Sequence, residues 1–282
     1  MLALAAIAML SGCPSVEQNP KKSNDRLDIA KDFLSKHQLE AAENEANKAI
    51  AFLQSNDEAF YVRGAVNYVR AGDAKKQLEI DGCLTGVDAE AIAREMDERL
   101  VAANKDFVHA TELAPTLSEA WAIQGVVATL QGASDDAIRL FGKALENPAR
   151  LTSVGLTRAN LGWAYFQKGD MVAAAKELLL AVQFQPGMCV ATYRLGRVYF
   201  ERKEWEKAAE QFQDVRDQPD CQAAAQSSLQ QEARLYLMKT RIEQGLTGDA
   251  RAARDACLSI LPKSCFAAQC RSEGASLGSD AE

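Results

Sequence analysis

Between residues 154 and 222, small and apolar residues recur at helical spacing, and the recurrence itself repeats as a block. Arg158, Leu161, Gly162, Tyr165, Ala174 and Leu178 are each followed 34 residues later by Thr192, Leu195, Gly196, Tyr199, Ala208 and Phe212. Steps of three, four and seven put such positions on one helix face, with charged residues on the other. Each block therefore predicts two antiparallel helices. Gly162 and Ala174 fall where the two approach most closely, because a larger side chain there would separate them; Leu161, Tyr165 and Leu178 fill the space beside that contact. Lys168-Gly169-Asp170 predicts the turn, since Gly takes the positive φ that ends a helix. Pro186 stops the second helix for want of an amide hydrogen.

The order W-x2-L-G-x2-Y, then A-x3-F, then P is the tetratricopeptide (TPR) signature, here with Arg158 in the Trp place and Leu178 in the Phe place. Gly64 stands 34 residues after Ala30, which extends the register to the N-terminal side, and Trp121, Gly125, Ala137 and Phe141 carry it through the middle. Gly245, Ala250, Cys257 and Pro262 restore it near the end. The fold class is all-α: a right-handed TPR superhelix, or α-solenoid, of six repeats with a short capping helix over about 265–271. The repeats lie near 23–56, 57–117, 118–151, 155–188, 189–222 and 231–264, and a tail over 272–282 is expected to fray. Repeat two holds an insertion at 75–101. It is read as a second helix lengthened at its start, with Gly82-Cys83-Leu84-Thr85-Gly86 a loop projecting from the edge of the solenoid.

The N-terminus follows a different pattern. Met1 to Leu10 is uncharged and apolar, and it ends in Leu10-Ser11-Gly12-Cys13, which resembles the lipobox of bacterial lipoprotein signal peptides. That resemblance implies a signal over 1–12, cleavage before Cys13, acylation of Cys13, and a polar tether over 13–22. The apolar run falls short of the roughly 20 residues that span a bilayer, so attachment is by lipid. Pro14, where lipoproteins kept in the inner membrane usually carry Asp, implies the outer membrane, with the folded part facing the periplasm.

Export bears on the cysteines. Apart from Cys13 there are Cys83, Cys189, Cys221, Cys257, Cys265 and Cys270, an even number suited to an oxidising compartment. Cys189 and Cys221 would staple adjacent repeats, and Cys257 with Cys265 or Cys270 would pin the cap. Cys83 has no evident partner. No C-x2-C pair supplies a zinc or redox motif, so no metal and no cofactor is expected. The net charge of -7, with both signs interspersed, offers no basic face for nucleic acid. His37 and His109 fall in a turn and on an outer helix, far from any nucleophile or acid that a helix would bring to them. No catalytic residue and no small-molecule substrate are expected; protein binding is.

In TPR solenoids the first helix of each repeat lines the inner, concave face. The inward positions here include Tyr61, Tyr68, Leu130, Trp163, Phe166, Tyr193, Arg197 and Phe200. Aromatic residues and Arg are what protein-recognition hot spots use, and an apolar groove with one Arg suits an amphipathic helix or an extended segment. Lipobox, tether and six repeats together resemble the type IV pilus pilotin lipoproteins, the PilF, PilW and Tgl group. Asn160-Leu161-Gly162-Trp163-Ala164-Tyr165, Pro186-Gly187-Met188-Cys189, Cys221 and Cys257 look closest to the myxobacterial Tgl branch. The resemblance implies a non-enzymatic lipoprotein that brings secretin subunits to the outer membrane and promotes their multimerisation. The same architecture also serves adaptors for barrel assembly, for envelope proteases and for cell-wall enzymes.

Overall fold

The computed structural model describes residues 18–278, and thirteen α-helices lie among them. Twelve form antiparallel hairpins: α1 (Pro20–Ser35) with α2 (Leu39–Phe52), α3 (Asp57–Lys76) with α4 (Gly86–Leu113), α5 (Ser118–Leu130) with α6 (Ser134–Leu145), α7 (Val154–Lys168) with α8 (Met171–Phe184), α9 (Cys189–Glu201) with α10 (Trp205–Asp217), and α11 (Ser227–Glu243) with α12 (Thr247–Ile260). The thirteenth, α13 (Cys265–Glu273), packs on the last pair. Each second helix also packs on the first helix of the next pair, so the hairpins stack as a TPR solenoid.

Gly-to-ring complementarity sets the spacing within a hairpin. A Cβ built on Gly64 would lie 2.9 Å from Phe107, on Gly125 2.7 Å from Phe141, on Gly162 2.8 Å from Leu178, and on Gly196 2.6 Å from Phe212. Each of these four partners is essentially fully buried. In repeat one, where the first helix carries Ala30, the second carries Ala46 at the equivalent place, and both are buried. The tight turn reads as expected: Gly169 takes φ 88°, and the Asp170 side chain accepts from the Ala173 amide at 3.0 Å to cap α8.

Three boundaries differ from the sequence reading. The helix begins at Pro20 rather than Ser23, because Asn19 accepts from the Lys22 amide at 2.9 Å and Pro is at home in a first helical turn, so residues 20–22, expected in the tether, belong to α1. Residues 272–278 do not fray: Leu277 is buried, and Arg254 donates to the Gly278 carbonyl at 2.8 Å. The insertion lengthens both helices of repeat two, with α3 and α4 reaching 20 and 28 residues, and a π-helical turn over Gln77–Asp81 ends the first. Its loop, expected to project from the edge, meets the C-terminal cap, where the Cys83 amide donates to the Lys263 carbonyl at 3.1 Å.

The cysteines pair as Cys189–Cys221, Cys257–Cys270 and Cys83–Cys265. The first joins neighbouring repeats and the second pins α13 to α12. Cys83, which has no partner evident in the sequence, takes Cys265 across 182 residues, a link made by folding of the insertion and invisible to repeat spacing. Residues 1–17, and with them Cys13 and its expected acylation, lie outside the described residues, as do 279–282. Among the described residues no helix is long and apolar enough to cross a membrane.

Candidate functional site: the inner face

First helices stand side by side because each hairpin adds to the stack in the same sense; α5, α7, α9 and α11 touch in succession. A cavity of about 510 Å³ confirms that they share one face: Leu130 of α5, Trp163 of α7, Val190, Tyr193 and Arg194 of α9, Glu232 of α11 and Phe266 of α13 all line it. Gly72 of α3, with Lys75 and Ile80 of the insertion, also lines it.

Arg197 organises the wall. Its guanidinium lies 3.8 Å from the Tyr236 ring centroid, 5.4 Å from Phe166, 5.5 Å from Trp163 and 6.0 Å from Tyr193. It donates to the Tyr193 hydroxyl at 2.9 Å and pairs with Glu232 at 3.8 Å. Rings that each present a negative face to one cation draw α7, α9 and α11 together. Trp163 and Phe166 stack at 4.6 Å, as one helical turn brings positions i and i+3 together. Beside them Arg194 donates to Asn160 at 2.7 Å and lies 5.5 Å from Trp163. Burial pulls the Arg194 guanidinium down to about 10, still charged at neutral pH. Burial also raises the Glu232 carboxyl, against the pull of Tyr193, Arg197 and Arg194, and drives the Tyr193 phenol well above its ordinary value.

The eight residues expected to line the groove do not share one environment. Leu130 and Trp163 face the cavity, and Leu130 is half exposed. Tyr193 borders it but is 3% exposed, so what it offers is an edge and a network rather than a free ring. Phe166 and Arg197 stand behind Trp163, and Phe200 packs edge-on against Trp205 at 5.2 Å and Tyr236 at 5.4 Å. Tyr68 senses the Arg194 charge across the superhelix, and burial raises its phenol. Tyr61 stands apart, against Phe107 at 5.8 Å in the core of repeat two, where burial raises its phenol to about 12. Sequence reasoning missed Arg194, Glu232 and Tyr236. Tyr236 is the counterpart of Arg194 once the eight extra residues ahead of repeat six are allowed for, so a strict 34-residue ruler passes over it.

The two histidines remain on separate elements. His37 approaches Asp73 at 3.1 Å and His109 packs on the Phe60 ring at 4.2 Å. Among the described residues no group of three His, Cys, Asp or Glu side chains could hold a metal ion. The inner face thus presents aromatic surface beside a network of charges in which the buried Arg197 Nε is left without a hydrogen-bond partner, an arrangement suited to recognition.

No protein-family model matches the chain, and no curated protein sequence does. Solved structures match it along nearly its whole length. PilW, a widely conserved type IV pilus biogenesis factor, aligns with a TM-score of 0.66 at 17% identity, covering 86% of this chain and 96% of PilW. PilF of Pseudomonas aeruginosa aligns at 0.63 and 12% identity, covering 90% and 98%. The APC/C hetero-tetramer Cut9–Hcn1 aligns at 0.66 and 13% identity, covering 91% of this chain but 43% of the other. At such identities the likeness is one of fold, and it reaches proteins of unrelated processes. The chain is a TPR-repeat solenoid similar in structure to the PilW and PilF pilus biogenesis factors.

Proposed function

We propose that the protein is a lipid-anchored scaffold of the pilotin kind: acylated at Cys13, held at the outer membrane facing the periplasm, and binding the secretin subunit of a type IV pilus to promote its multimerisation. The observation that carries this reading is the end-to-end match in length with PilW and PilF, 96% and 98% of whose chains are covered. Leu10-Ser11-Gly12-Cys13 supplies the address and Asn19 the point where the fold begins. No chemistry is required of the site. Trp163 and its neighbours hold a partner segment by apolar contact, while the Arg197 guanidinium keeps their rings in place.

Purified protein and secretin test this directly. Trp163→Ala with Phe200→Ala is expected to reduce co-sedimentation with secretin at least tenfold while the helical circular dichroism signal stays unchanged. Wild-type capture by the folded double variant would remove the inner face as the binding site.

A further inference from the structure

The helices flanking the insertion are 20 and 28 residues long, against 12 to 17 for those of the other five hairpins. Extra length carries the connection from repeat two across the inner face to the cap. There Cys83 is bonded to Cys265 and its amide to the Lys263 carbonyl. Repeats three to six lie between the two cysteines, so the bond closes the superhelix on itself. Beneath the bridge is the cavity of about 510 Å³, with Trp163, Glu232 and Phe266 on its floor.

The three disulfides differ in access. Cys189, Cys221, Cys257 and Cys270 are all buried, whereas Cys83 is exposed and Cys265 only partly covered. Exchange requires a thiolate to reach a sulfur, and only one of the three bonds offers that. Once it is cut, what still ties the bridge down is the bond from the Cys83 amide to the Lys263 carbonyl and the half-buried Leu78, Glu79 and Ile80, while residues 75–77, 81 and 83–88 are exposed. The bridge also shows what the floor accepts. It presents aliphatic Ile80 and the Lys75–Glu79 ion pair, 2.5 Å long, to that floor, and Lys75 lies within the field of Glu232.

We infer that residues 72–85 are a clasp, latched by Cys83–Cys265, that shuts the inner face, and that opening the latch admits an amphipathic helix bearing an aliphatic side chain beside a Lys–Glu pair, like the clasp's own Ile80, Lys75 and Glu79. This rests on the inner face being a protein-binding site. The opening agent is a dithiol. One thiolate attacks Cys83 Sγ and expels Cys265 as a thiolate; the second then attacks the mixed disulfide and releases Cys83. The dithiol is oxidised to a disulfide, and its two protons pass to the two cysteines.

The full chain, treated with graded dithiothreitol and alkylated without denaturant, is expected to carry label on Cys83 and Cys265 before any other cysteine. Amide exchange over 72–85 should then rise at least tenfold while α7, α9 and α11 are unchanged. Labelling of the buried four at the same rate, or an unaltered 72–85, overturns the latch. A fluorescent peptide spanning residues 70–85 with Cys83→Ser serves as the helix probe. It should bind the variant C83S/C265S/I80D at least tenfold more tightly than the oxidised protein. The variant C83S/C265S serves as a second acceptor should I80D disturb folding. Equal affinity, or no binding to any form, overturns the inference. Because the probe contains no secretin, gated peptide binding alongside failed secretin capture would instead sink the proposed partner.

Discussion

A methyl on Gly196 would sit 2.6 Å from the Phe212 ring, and one on Gly162 2.8 Å from Leu178 and 3.1 Å from the Ala174 carbonyl. The hairpin must open to admit it. Gly196→Ala is therefore expected to cost about 1–3 kcal/mol, the usual penalty of overpacking. Phe212→Leu should recover part of that cost in the double variant, as coupled neighbours do; urea denaturation measures both. Strictly additive losses would mean that the two side chains do not share this space. At this scale the sequence was readable where one residue's size decides the matter: a glycine at a fixed place in every hairpin from two to five announces a large partner 16 residues on, or later by the length of an insertion. Arg197 was less readable. Its place on the inner face follows from the repeat, but its engagement by Glu232 and Tyr236 depends on repeat six, whose register slips by eight residues.

Helices and turns were legible for a related reason. Gly169, Asp170 and the proline at the end of a repeat each act within a few residues of themselves, so local chemistry settles the boundary. Asn19 with Pro20 acts in the same local way, and the start of α1 differs from the sequence reading only because that pair was counted with the tether. The insertion was legible as an excess of residues but not as a bridge, since its destination is 182 residues away in sequence. The bond between Cys189 and Cys221 tests how far neighbouring repeats depend on covalent help. It spans 32 residues, links the start of α9 to the turn following α10, and has both sulfurs buried. By the chain-entropy account a loop of that length is worth about 3–4 kcal/mol. Cys189→Ser with Cys221→Ser should lower the opening free energy of α10 and α11 by that order in amide exchange, leaving α1 to α4 untouched. Unchanged protection in α10 would show that packing alone holds the joint.

In the proposed function the whole molecule joins a lipid address at Cys13 to a shaped surface. Six stacked hairpins form one array in which every repeat leans on the next, and the cap and the Cys83 link prevent the C-terminal end from standing alone. The same stacking explains why fold was easier to read than partner: repetition encodes packing, whereas the occupant of the inner face is chosen by a few side chains that repetition does not constrain. Cys13→Ala is expected to move the protein from the membrane to the soluble periplasmic fraction, since three acyl chains at about 0.8 kcal/mol per buried methylene are what would hold it there. Unchanged membrane attachment of that variant would refute the lipobox reading. The central claim concerns the secretin. An immunoblot of outer membranes from a strain lacking this gene, beside its complemented parent, should show detergent-resistant secretin multimers lost and monomer retained. Multimers at the parental level would contradict the account.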